Sequence, residues 1–183
     1  PDSAPEAALF HLARLYYYGD PSVRRSSRFG HAIWNWSADE KRLVIQIVPD
    51  FLYNVSMARS VLVDALQTNP DYDPVLPCLI STYHKEISLV ERRLEMGRTM
   101  PEMKLSELEE RELLARVAKV RDVLLTLRSS GEKHFYRALS LQLHDQDPML
   151  AAAVIRDLAA IASPELNVYS TPPEMFAPLR PSV

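Results

Sequence analysis

"LARLYYYGDPSVRR", residues 12–25, decides how the chain is read. Leu9, Leu12, Ala13 and Tyr16 recur at the three- and four-residue steps of one helical face, and Gly19 follows as a residue suited to the left-handed conformation that ends a helix. Asp20 then offers a carboxylate to the free amides of a new helix, and Pro21 suits a first helical position, where no N–H is needed. The stretch predicts a helix, a tight turn and a second helix. The tyrosines close one and the arginines open the next.

The same punctuation recurs along the chain. Four glycines in 183 residues, with few alternating β-branched runs, predict an all-α protein of about eight helices. Ser37-Ala38-Asp39-Glu40 reads as a capping box, followed by a helix through "KRLVIQIVPDFLY" that Pro49 bends or interrupts. Asn54 is expected to cap "VSMARSVLVDALQ", and a third helix to run from Asp73-Pro74 to about Met96, with Pro77 tolerated near its start. Gly97 to Lys104 reads as a loop. Ser106-Glu107-Leu108-Glu109 is the clearest capping box, opening a helix whose Leu113, Val117, Val120, Leu124 and Leu127 form a seam that packs against neighbouring helices. Gly131 separates it from a short helix bearing Phe135, Leu139 and Leu143, and Asp147-Pro148 starts the last helix. Residues 164–183 carry five prolines and read as an extended tail beyond a helical domain at 1–163.

Charge and composition narrow the partners. Twenty-one Lys and Arg against 24 Asp and Glu leave a net charge of −3, which supplies no overall attraction to nucleic acid or to an anionic membrane surface. No apolar run approaches the roughly 20 residues that cross a bilayer. Cys78, the single cysteine, stands among apolar neighbours and reads as a buried thiol, a usage that fits the cytoplasm first and leaves the periplasm open. A chain that begins with Pro1 is expected to be a piece of a longer protein.

Laid over one another, the helices after the turns share a register. Asp20, Asn54 and Asp147 stand at the caps, followed by Val23, Met57 and Leu150, then by Ser27, Val61 and Val154, then by His31, Ala65 and Leu158. Asp20 and Asn54 lie 34 residues apart, a period typical of stacked helix pairs. "GDPSVRR" at 19–25 resembles the start of the second helix in HEAT-type repeats, and "DQDPMLAAAVIRDLAAIA" at 145–162 is similar to a second copy. "ALQTNPDYDPVLPCLISTY" is similar, in turn, to the junction between tetratricopeptide repeats. The HEAT resemblance implies a right-handed α-solenoid of about four stacked antiparallel pairs, at 5–35, 38–68, 73–129 and 131–162, with the extended Pro-rich tail beyond. It also implies a binding or scaffolding module without catalytic activity, whose partner is another protein or another segment of the parent chain. Two alternatives stand beside it. One is an enzyme on such a scaffold, of the nucleic-acid glycosylase or bilin lyase type, and the other is an oligomerisation element built on residues 106–128.

Candidate contact residues follow from these placements. Arg24, Arg25 and Arg28 project from the first turns of one expected helix, and Arg59 occupies the register of Arg25 one repeat later, giving a strip suited to acidic side chains. Tyr17 and Tyr18 are candidate aromatic anchors, because Tyr16 belongs to the buried stripe and consecutive helical residues diverge by about 100°. Trp34 and Trp36 are expected to seal the junction between the first two pairs. No HExxH, HxH or His/Cys cluster is present, and neither a nucleophile elbow nor a phosphate-binding glycine loop, so no metal, cofactor or catalytic residue is assigned.

Overall fold

A computed structural model describes residues 4–23, 31–37, 41–128, 132–144 and 148–162. Six helices are formed there: α1 (Pro5–Tyr18), α2 (Asp50–Thr68), α3 (Val75–Thr99), α4 (Glu107–Arg128), α5 (Glu132–His144) and α6 (Pro148–Ala162). An antiparallel hairpin of β1 (His31–Ser37) and β2 (Arg42–Val48) stands between α1 and α2. The protein is thus mostly helical, with one small sheet.

The first turn forms as its residues dictate. Gly19 takes φ 68°, and the amides of Gly19 and Asp20 bond to the carbonyls of Tyr16 and Leu15 at 3.0 and 2.9 Å, the two bonds of a Schellman end. Asp20 caps the next turn, its carboxylate accepting from the Ser22 amide at 2.8 Å. The expected second helix through residue 35 does not continue, because the chain runs as β1 from His31. Residues 24–30, which hold Arg24, Arg25 and Arg28, lie outside the described residues.

The hairpin corrects three expectations. Ser37 ends β1 instead of capping a helix, "RLVIQIV" at 42–48 is a strand instead of a helix, and Trp34 lies in a strand instead of sealing a junction between helix pairs. The reason lies in the side chains: Val44, Ile45, Ile47 and Val48 are β-branched, and Trp34 and Trp36 are aromatic, the types that fit a pleated surface. Trp34 faces Ile45 and Ala32 faces Ile47 across the ladder. Lys41, at φ 48°, stands just before β2 as the chain returns from β1.

Pro49 and Asn54 also change roles. Pro49 is the N-cap of α2, extended at ψ 145°, and does not bend a helix. Asn54 falls one turn inside α2, so the matched spacing of Asp20 and Asn54 does not pair two caps. Farther on, α3 runs through Gly97 to Thr99, into the first residues of the expected loop, whose remainder holds a short 3-10 turn at Pro101–Met103. A Cβ on Gly97 would lie 3.1 Å from the Leu105 side chain, so glycine here serves a close approach. Pro77 is accepted in the first turn of α3, as its missing N–H allows. The Ser106 capping box forms in full: the Glu109 amide bonds to Ser106 Oγ at 3.3 Å, and Glu109 Oε2 accepts from the Ser106 amide at 2.8 Å.

Packing centres on α3, which touches α2, α4, α5 and α6. One apolar cluster joins all six helices around Leu62, Ile80, Phe135 and Val154, all fully buried, with Val120 and Leu124 contributed by α4. A second joins the inner hairpin face to α2, α3 and α4 through Ile33, Val48, Leu52, Val90 and Val117. The α4 seam at Leu113, Val117, Val120 and Leu124 is buried in these clusters, which is the packing role expected of it. Cys78 is buried. Residues 163–183, which contain the tail, lie outside the described residues, as do the caps expected at Asp147 and Gly131.

Candidate binding cleft

A charged residue on an apolar helical stripe must find a partner or remain in water. On α3, Tyr83, Glu86, Val90 and Leu94 follow one another at helical spacing along the buried face, so Glu86 is carried into the interior with no exposed surface. Two arginines meet it. Arg59 of α2 donates Nη1 to Oε2 at 2.8 Å, and Arg116 of α4 donates Nε to Oε1 at 2.5 Å and Nη2 to Ser56 Oγ at 2.8 Å. One carboxylate thereby ties three helices together.

Both guanidiniums border a cleft of about 530 Å³ between β2, α2, α3 and α4. Its walls include Ile47, Leu52 and Val120, with Tyr83 beside the arginines and Glu112 and Lys119 on α4. Burial raises the Tyr83 hydroxyl above its ordinary pKa, with Arg59 opposing and Glu86 reinforcing the shift, so the phenol is a neutral donor at physiological pH. Among the described residues, Arg59, Arg116 and Lys119 stand against Glu112 and the buried Glu86, which leaves one surplus positive charge at this cleft.

Next to the cleft, the hairpin presents two unlike faces. Ile33 and Val48 turn inward, and His31 stacks on Tyr53 with ring centroids 3.9 Å apart while its Nε2 meets Asp50 Oδ1 at 2.9 Å. The outer face carries Trp34, Leu43, Ile45 and Ile47, exposed at 59, 58, 49 and 68%. Ile47 belongs both to this face and to the cleft wall.

The candidate contact residues separate. Arg59 reaches the cleft, paired with Glu86 instead of standing on an open strip. Tyr17 is a core residue: it is 3% exposed, and the Gln142 amide donates to its hydroxyl at 3.1 Å. Tyr18, the last residue of α1, is 46% exposed, with the Arg14 guanidinium 5.6 Å from its ring centre. Arg59 and Tyr18 line different clefts, Tyr18 with Phe10 and Arg14. Glu86, Arg116 and Tyr83 were missed, although Glu86 on the stripe of Tyr83 and Val90 is a signal that the sequence contains.

A second polar cluster joins α3, α4 and α6. Asp157, 7% exposed, receives Arg128 Nη2 on Oδ1, while His84 Nε2 stands 3.2 Å from Oδ2 without the alignment of a hydrogen bond. Burial pushes the Asp157 carboxyl up, but the pull of His84 and Arg128 outweighs it and holds the group below its ordinary value of 3.8. Among the described residues, no three His, Cys, Asp or Glu side chains converge as metal ligands, and no helix is long and apolar enough to cross a membrane. Compared with models of protein families, with curated proteins and with solved structures, the chain matches none.

Proposed function

We propose that the chain is a helical binding module for another polypeptide, with the outer hairpin face as its principal contact surface. The observation that carries this reading is the run of Trp34, Leu43, Ile45 and Ile47 on one face, all open to solvent. A two-stranded hairpin is marginally stable by itself, and this one holds to the body through its other face. Contiguous exposed apolar surface of this kind is characteristic of protein contact sites. The consecutive packing of α1 on α2 and α2 on α3 supports the resemblance to stacked helix pairs, while α5 and α6 fold back onto α3. A scaffold of that kind holds the hairpin and the cleft in fixed relation.

The test compares the wild-type chain with an Ile45→Lys, Ile47→Lys double variant as bait in extracts of the source cells. The expected result is an unchanged circular dichroism spectrum together with loss of the proteins that the wild type retains. Identical capture by both baits refutes the reading.

A further inference from the structure

The geometry points to an acidic-apolar peptide segment as the partner, its carboxylate seated on Arg59 and Arg116 in the cleft and its apolar side chains lying along Ile47, Ile45 and Trp34. This inference rests on the binding reading above and names the chemistry of what is bound.

Charge complementarity selects the occupant. Arg59 spends Nη1 on Glu86, and Arg116 spends Nε and Nη2 on Glu86 and Ser56. Both side chains line the cleft and keep some exposure there, 24% for Arg59 and 17% for Arg116. The guanidinium fork matches a planar carboxylate. The cleft's surplus of one positive charge suits a single carboxylate, where a doubly charged phosphate would leave net negative charge against apolar walls. Lys119 stands at the cleft on α4 and adds long-range attraction. Ile47 makes the cleft continuous with the hairpin face, so a segment with an acidic residue beside large apolar ones meets both surfaces at once. The chain's net charge of −3 gives an extended nucleic acid backbone no comparable advantage.

Arg59→Gln is a suitable probe because Glu86 keeps its bond to Arg116, and Lys119→Glu changes an exposed side chain. A random twelve-residue peptide library displayed on phage is panned against the full chain, and the enriched peptides are synthesised with a fluorescent label for anisotropy titration. The expected outcome is enrichment of Asp or Glu flanked by Leu, Ile or Phe, with Kd rising at least tenfold for Arg59→Gln and for Lys119→Glu and rising with added salt. Replacing the peptide's acid by its amide should weaken binding to a similar extent. Enriched peptides that lack acids, are lost on Ile45→Lys, Ile47→Lys and bind Arg59→Gln normally would overturn the carboxylate seat and leave the binding reading intact. No enrichment at all, or selection of a second copy of this chain in sedimentation instead of peptides, would overturn the inference, and in the first case the binding reading with it.

Discussion

Arg116 in α4 donates Nε–H to Glu86 in α3 at 2.5 Å, and the carboxylate that receives it has no exposed surface. A buried ion held on both oxygens contributes little when compared with a well-packed apolar substitute, but much when one member alone is removed. Glu86→Gln keeps the shape and strands two guanidiniums. Urea unfolding should show a loss of about 3 kcal/mol. Arg59→Gln should cost about 1 kcal/mol, since Arg116 still pairs with the carboxylate. Arg98→Ala, which breaks an ion pair with Glu110 at the surface, should leave the midpoint unchanged. Equal losses for all three variants would deny Glu86 its place as the junction of α2, α3 and α4.

Tyr17 and Gln142 connect the end of α1 to α5 across 125 residues of chain. Gln142 is fully buried, so Tyr17→Phe deprives its amide of the hydroxyl without opening a cavity. A loss of about 1–2 kcal/mol is expected in denaturant titration, with little change in slope. A midpoint equal to that of the wild type would mean that Gln142 finds a replacement partner.

The hairpin should respond differently on its two faces. Ile33→Ala removes buried atoms from the cluster with Val48 and Leu52, at a cost of about 2–3 kcal/mol. Ile45→Lys on the outer face should shift stability by no more than about 0.5 kcal/mol. Thermal melts of the two variants separate a face that holds the fold from a face that is available for contact.

Asp157 gives a pH dependence with a definite sign. Its carboxyl titrates below 3.8 in the folded chain, so the stabilisation from Arg128 and His84 is present above that value and disappears as pH falls through the lower, folded-state value. Asp157→Asn should therefore lose about 2 kcal/mol at neutral pH. The gap to the wild type should narrow in acid, as the pH falls from the ordinary carboxyl value of 3.8, where the unfolded chain takes up its proton, to the lower value at which the native carboxylate does. A gap independent of pH would place the effect in packing.

What the sequence made legible was local and punctuated. Gly19, Ser106 with Glu109, and the Leu113 to Leu124 seam act through spacing of five residues or fewer, and each took its expected form. The hairpin was misread because Val44, Ile45, Ile47 and Val48 satisfy a buried helix as readily as a strand when periodicity is the criterion, while their branched side chains favour the strand. Asn54 resembled a cap by type alone. Pro49, which needs no amide partner, had already started the helix. The cleft was the hardest part to foresee: Arg59, Glu86 and Arg116 stand 27 and 30 residues apart, and only the packing of α2 and α4 on α3 brings them together.

The position of α3 has a consequence for how the molecule comes apart. A linear array of helix pairs frays from its ends, shedding one unit while the next survives. With one helix serving as the shared wall for four others, loss of that wall exposes every cluster together. Amides in the middle of α2, α3 and α5 should then exchange with solvent deuterium at a common slow rate, marking a single all-or-none opening instead of a staircase.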